Sequence, residues 1–243
     1  IDGLKEGYFV WVKGTVNKNE KDFNGIEVVL SSIKVISKPA AEYPLKISQG
    51  KLNCSIEANL DNRTVALRNP YERAVFKLQE GIVHGMHEFM RANNFTEIHT
   101  PKIVAQGAEG GANIFRLDYF QKNAFLNQSP QFYKQIGVGV YERVFEVAPA
   151  YRAEKHNTSR HLNEYISLDV EMGFIKGQED VMTLEAALLR HIIATVETEC
   201  AHELNLLGAT IPVLPEEVPV WRLSEVHDIL FENNRVELGL LRA

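Results

Sequence analysis

Residues Tyr151–Met172, YRAEKHNTSRHLNEYISLDVEM, decide how the rest of the chain is read. Arg152, Glu154, Lys155, Arg160, His161, Glu164, Asp169 and Glu171 all fall within this short run. The pattern reads as two strands joined by a polar loop. Side chains alternate across a strand, so Tyr165, Ser167, Asp169 and Glu171 share one face. Ile166, Leu168, Val170 and Met172 take the other, which is expected to meet a core. The polar face holds two acids beside an aromatic ring, and Arg152 and Glu154 share a face of the first strand. A hairpin of this kind can hold a triphosphate, a base and a cationic amine together.

The chain around it has 243 residues, 45% of them hydrophobic, enough for a sizeable core and one or two domains. A net charge of −6 writes no general affinity for nucleic acid into it, and leaves room for a local basic surface. Cys54 and Cys200 have no Cys-x-x-Cys or paired Cys/His spacing. They suggest neither a disulfide scaffold nor a zinc site, and a reducing cytoplasm is expected. No apolar run approaches the roughly 20 residues of a membrane span. Ile1–Lys13 lacks the basic start and small-residue cleavage site of a signal peptide. The chain opens on Ile1 rather than Met, and a start inside a longer protein is expected.

Taken in order, Tyr8–Val16 and Ile26–Ser37 read as strands of a small β-barrel, with a polar turn between them. Lys38–Pro44 is a linker and Leu45–Asp61 is irregular, which puts a boundary near 38–69. Tyr71–Asn93 is a helix with Val75, Leu78, Ile82, Met86, Phe89 and Met90 as its apolar stripe. Phe95–Val104 alternates like a strand broken at Pro101, which implies an edge or an interface. Ala105–Asn113 is a Gly-rich loop carrying Glu109. Ile114–Phe120 and Asn123–Asn127 pair around a Gln-Lys turn. Ser129 is placed as the N-cap of helix 130–140, with Pro130 first and Gln131 and Lys134 on one face. Glu179–Leu204 reads as one long helix and Ser224–Glu232 as a short one capped by Ser224.

These residues resemble the class II aminoacyl-tRNA synthetases, in the aspartyl branch of the archaeal and eukaryotic type. Tyr71–Val104 looks like motif 1, ending at its proline, Pro101, and Tyr151–Glu171 like motif 2. Glu109-Gly110-Gly111 resembles the flipping loop and Gln128–Gln135 (QSPQFYKQ) the amino-acid pocket helix. The resemblance implies an α+β fold, an antiparallel sheet flanked by helices and preceded by part of an OB-fold barrel. It divides the chain into 1–38 (partial anticodon-binding barrel), 39–69 (linker) and 70–243 (partial catalytic domain). It implies a dimer through motif 1 around Pro101. The implied reaction joins L-aspartate to ATP as aspartyl adenylate and then to tRNA.

By the same resemblance Arg152 holds the α-phosphate, and Ala153, Glu154, Arg160, His161, Leu162 and Tyr165 complete the ATP site. Glu154 would accept from the adenine amino group, and Tyr165 would lie on its face. Glu109, Ser129, Gln131, Lys134, Arg152 and Asp169 would hold aspartate, with Lys134 as the buried cation for its side chain. From residue type alone, Lys134 is as readily an exposed helix lysine, His161 a solvated loop residue and Arg152 half of a strand ion pair. His84, His87 and Glu88 lack the H-E-x-x-H pattern and read as surface or dimer contacts. Trp11 and Tyr8 are open between barrel core and base stacking.

The third motif, with its ATP arginine and the magnesium ligands before it, is missing. Glu237–Ala243 shares only Gly239, Leu240 and Arg242 with its G-L-x-R ending and is read as coincidence. Magnesium is therefore expected on ligands outside this chain. Two other functions stay open: an asparaginyl or aspartyl-adenylate amide ligase, and a truncated, non-catalytic paralogue that binds or regulates.

Overall fold

A computed structural model describes residues 3–20, 25–108, 113–156, 158 and 161–234, the last three by backbone alone. Glu109 and Arg160 lie outside these residues, as do Gly110, Gly111, Gly239, Leu240 and Arg242. The described chain falls into two compact units. One comprises Ile1–Val83 with Thr195–Thr210, the other His84–Ala194 with Ile211–Ala243.

In the first unit, β1 (Phe9–Lys18) and β2 (Ile26–Ser37) form a long antiparallel ribbon. β-Branched and aromatic residues favour this state. The register shifts at Lys13/Gly14. A Cβ on Gly14 would sit 2.3 Å from the Val29 carbonyl oxygen, so the irregularity needs a glycine. The segment read as irregular contains two short helices, α1 (Ile56–Asp61) and α2 (Arg63–Ala66). Ser55 caps α1 by accepting from Ala58 N at 3.2 Å. Asn69 is completely buried. Its amide donates to the carbonyls of Ile47, Gln49 and Gly50 at 3.0, 2.8 and 2.8 Å. Its Oδ1 accepts from Tyr71 N at 2.9 Å, at the start of α3 (Pro70–Ala92).

The buried residues of α3 include Ala74, Met86 and Met90, while Val75 and Ile82 are exposed. The apolar stripe is therefore rotated by about one position from its expected place at the N-terminal end. Small Ala74, rather than branched Val75, sits on the inward face. The helix ends as Asn93-Asn94 suggests. Asn94 is left-handed at φ 61°, and Phe95 N donates to Met90 O at 2.9 Å, closing a Schellman turn.

In the second unit, Phe95–Val104 is not one strand. Pro101 separates β3 (Thr96–Glu97) from β4 (Ile103–Val104), and the two join different sheets. β4, β6 (Lys122–Leu126) and β5 (Arg116–Tyr119) form an antiparallel sheet in that order. The β5–β6 turn is Phe120-Gln121, one residue earlier than expected, with both residues at positive φ (46° and 66°). β3, β7 (Arg143–Tyr151) and β8 (Glu164–Met172) form the other sheet. β7–β8 is antiparallel, but β3 pairs with β7 in parallel, so the sheet is mixed where an antiparallel one was expected. Three helices complete the unit or run out of it: α4 (Gln131–Tyr141), α5 (Gln178–Glu199) and α7 (Leu223–Asn234).

The expected helix 179–204 is interrupted. Cys200, at φ −113°, ends α5, and α6 (Ala201–Leu207) follows. Val181 of its expected stripe is exposed, while Ile192 and Val196 are buried. Ser224 lies inside α7 rather than capping it. The Arg222 N–H ahead of that helix is taken by the Glu225 carboxylate at 2.6 Å. Both cysteines are free thiols. Among the described residues no helix is long and apolar enough to cross a membrane.

Candidate active site

The β7–β8 register pairs Val144 with Glu171, Glu146 with Asp169, Ala148 with Ser167 and Ala150 with Tyr165. Directly opposed residues of an antiparallel pair point to the same side. The expected grouping of Tyr165, Ser167, Asp169 and Glu171 follows, and Glu146 joins it. The burial meets the expectation in part: on the apolar face Phe145, opposite Val170, is fully buried, and Val170 and Met172 are half-buried. α4 packs against β7 and β8 on the polar face. On the apolar face, Ile166 is 45% exposed and Leu168 is also exposed. Both faces are therefore covered near Val170, and toward Tyr165 the apolar face opens while α4 covers the acids.

α4 approaches closely because Gly137 faces Val144. A Cβ there would lie 3.1 Å from the nearer Val144 methyl. One turn earlier on the same face, Lys134 is only 6% exposed. Its Nζ is 2.9 Å from Asp169 Oδ1 and 3.6 Å from Glu171 Oε2. Gln131 Nε2 donates to Glu171 Oε2 at 3.3 Å. Lys134 is thus a buried cation between two carboxylates, not a solvated helix lysine. A buried charge needs partners of this kind.

Ser129 is buried but does not cap α4. Pro130 occupies the cap position with no side-chain bond, and α4 begins at Gln131. Asn127 does the local work instead, its Oδ1 accepting from Ser129 N at 3.2 Å. Arg152 lies at the hairpin end, where its N–H donates to Asn163 O at 3.0 Å. Ala153 N donates to Asn113 O at 3.0 Å. Tyr165 is half-buried opposite Ala150 and Leu162 is exposed. Glu154 Oε2 and His161 Nε2 are 3.6 Å apart, and Thr158 Oγ1 is 2.6 Å from His161 Nδ1. These two side chains, separated by role in the sequence reading, meet each other across the loop.

Two features went unread in the sequence. Glu171 is the second partner of Lys134, although its place on the polar face was legible. Glu146, 2% exposed, accepts from Thr100 N at 2.7 Å and Thr100 Oγ1 at 2.8 Å, and pairs with Lys102 Nζ at 2.9 Å. The available signal was a lone Glu within the apolar strand RVFEVA.

Elsewhere in the unit, Glu97 Oε1 is 2.9 Å from His87 Nε2, and Arg91 Nη2 donates to Glu97 Oε2 at 3.3 Å. Burial pushes the Glu97 carboxyl up. The bonds from His87 and Arg91 and the charges of His87 and His99 outweigh it and hold it below the usual carboxylate range. Among the described residues, no group of three or more His, Cys, Asp and Glu is arranged to hold a metal. Glu146, Asp169 and Glu171 each already meet a lysine, so this face does not fit a magnesium site.

The chain is 49% identical over 223 residues to an aspartate–tRNA(Asp/Asn) ligase of Deinococcus radiodurans, covering 92% of this chain and 51% of that protein. It is 46% identical over 228 residues to the corresponding Thermus thermophilus ligase, covering 94% of this chain and 53% of that one. It therefore spans about half the length of these relatives. Among solved structures, it superposes on a Pyrococcus horikoshii asparaginyl-tRNA synthetase complexed with asparaginyl-adenylate at a TM-score of 0.79. That match has 30% identity and covers 96% of this chain and 54% of that one. A putative aspartyl-tRNA synthetase from Leishmania major gives a TM-score of 0.70 at 31% identity, covering 86% of this chain and 42% of that one. Residues 55–236 match the family of class II tRNA synthetases (D, K and N). A fold with the class II synthetase architecture, with a buried lysine–carboxylate cluster between α4 and its β7–β8 hairpin, thus meets a family match over most of its length: the chain belongs to the class II tRNA synthetases.

Proposed function

We propose that the protein containing this chain is an aspartate–tRNA ligase. In the first step a carboxylate oxygen of L-aspartate attacks the α-phosphorus of ATP. The bond to the bridging oxygen breaks, and pyrophosphate leaves aspartyl adenylate behind. In the second, a terminal ribose hydroxyl of tRNA attacks the acyl carbon and AMP leaves. The observation that carries the reading is the buried Lys134 ammonium between Asp169 and Glu171. A fixed ammonium, held in place by two carboxylates, offers a remaining N–H to a substrate whose side chain is an anion, and an analogue without that anion forgoes the charged bond.

Gln131 is assigned to the substrate, with Ser129 and Glu109 at its ammonium group. Asp169 positions Lys134. Arg152 would hold the α-phosphate, where its rigid fork suits a charge that grows during in-line attack. Glu154 and Tyr165 are assigned to the adenine, with Ala153 and Leu162 alongside, and Arg160 and His161 to the outer phosphates. Magnesium on the triphosphate would neutralise phosphate charge, and its ligands are assigned outside the described residues. The ribbon β1–β2 is assigned to an OB-fold anticodon-binding domain at 1–38, followed by a linker at 39–69 and the catalytic domain. A homodimer through the segment around Pro101 is proposed because β4 is a sheet edge with Ile103 exposed. A cytoplasmic location suits this work.

Aspartate-dependent ATP–pyrophosphate exchange by the full-length protein tests the reading. Exchange with aspartate and not with asparagine is expected. Exchange with asparagine alone would move the assignment to an asparaginyl ligase, a reading the Pyrococcus likeness keeps in view. Exchange with neither would overturn activation altogether.

A further inference from the structure

We propose that Glu146 is a positioning residue for the amino-acid pocket, acting through Thr100, Lys102 and Asn127. The inference rests on the aspartate-activating reading of the Lys134 site.

Glu146 sits in the middle of β7 and is 2% exposed. A carboxylate so buried is costly unless its oxygens are bonded. Here one residue saturates much of it. The Thr100 N–H and hydroxyl each donate to one carboxylate oxygen, at 2.7 and 2.8 Å. Lys102 Nζ lies 2.9 Å from Glu146 Oε1 and 2.9 Å from Thr100 Oγ1. Together these bonds draw the backbone of residues 100–102 onto the strand.

That backbone leads directly to the site. Lys102 O accepts from Asn127 N at 2.9 Å, and Asn127 O accepts from Tyr151 N at 3.0 Å. The Asn127 side chain holds Ser129 N, just ahead of the helix that presents Gln131 and Lys134. Tyr151 immediately precedes Arg152. One buried carboxylate therefore anchors a chain of hydrogen bonds with the start of α4 at one end and the proposed phosphate-binding arginine at the other. By strand register Glu146 is also directly opposite Asp169. Like charges in that relation repel, and each carries its own ammonium, Lys102 or Lys134. An apolar side chain would fill the same volume, and often costs no stability at a buried ion pair. It would not set a direction for three donors.

The test is Glu146→Gln in the full-length protein, which keeps the shape and removes the charge facing Lys102. If the unsubstituted protein shows no exchange with aspartate, it is the aspartate reading that has failed. Given exchange, Glu146→Gln should raise the aspartate KM about tenfold, as ångström-scale misplacement of a pocket can, and the ATP KM, through Tyr151 and Arg152, by a smaller factor. Amide hydrogen exchange gives a readout independent of turnover: the Asn127 and Tyr151 amides should exchange faster, and those of β1 should not. Thr100→Val, which keeps the backbone bond and loses the hydroxyl, should shift the aspartate KM the same way by a smaller factor. It carries the test should Glu146→Gln not fold. An unchanged aspartate KM, equal rises in both KM values, or unaltered protection at Asn127 and Tyr151 would overturn the proposal.

Discussion

Lys134 Nζ and Asp169 Oδ1 lie 2.9 Å apart with the lysine almost wholly buried, and Glu171 stands 3.6 Å away on the other side. The two acids compensate one ammonium. Lys134→Met would leave both without it, at a cost of about 3–5 kcal/mol. It should also lower aspartate-dependent exchange at least about hundredfold. Adding Asp169→Asn should recover most of the stability and none of the exchange. Thermal melts and pyrophosphate exchange separate the two effects, and a Lys134 variant that still activates aspartate would disprove the pocket assignment.

Asn69 predicts a stability effect with no connection to catalysis. It ties three carbonyls of the 47–50 segment to the first turn of α3. Asn69→Ala removes a helix cap and strands buried acceptors, so a loss of about 2–4 kcal/mol is expected by denaturant unfolding. Asn69→Asp should not rescue it, because a carboxylate would face those carbonyls without donors. Recovery by aspartate would show that only the cap matters.

The Phe120-Gln121 turn predicts a gain. Both residues are left-handed, and Phe120 is 86% exposed. Asn-Gly suits consecutive positive φ values far better. Phe120→Asn with Gln121→Gly should stabilise the second unit by about 1 kcal/mol. An unchanged or lower melting temperature would count against strain at this turn.

Glu97 sets a pH dependence. Its carboxyl is held below the ordinary value by His87 and Arg91. A depressed folded-state pKa contributes stability above the unfolded value, about 4.3, that is lost as pH falls through the folded one. The stability difference between the protein and its Glu97→Gln variant should therefore be full at pH 6 and shrink towards pH 3. A difference that stays constant across that window would refute the linkage.

The sequence was most informative where one residue type has few uses. The alternation of residues 165–172 correctly grouped Asp169 with Glu171, and the run from Gln128 to Gln135 put Gln131 and Lys134 on one helical face. Burial was harder to read, because it depends on what packs above a strand. Ile166 and Leu168 look like core residues and are exposed, while the acids lie beneath α4. Val75 and Ile82 misled for the same reason, their places on the inward side being taken by smaller residues. Pro101 marked a break correctly, but nothing local shows that the two halves join different sheets, or that β3 runs parallel to β7. Glu146 stood out only as a lone acid in an apolar strand, and its role was unreadable because its partners lie 44 to 46 residues away in sequence.

Gly137 has a consequence for where the buried lysine of α4 can reach. Where α4 lies on β7 and β8, its approach depends on the absence of a side chain at Gly137, whose Cβ would lie 3.1 Å from a Val144 methyl. The place of the Lys134 ammonium over β8 can shift without any exchange of charged residues. A larger side chain at 137 or a smaller one at 144 would reset the reach of the lysine. The spacing between helix and sheet at Lys134 is thus set by two apolar positions rather than by any charged one.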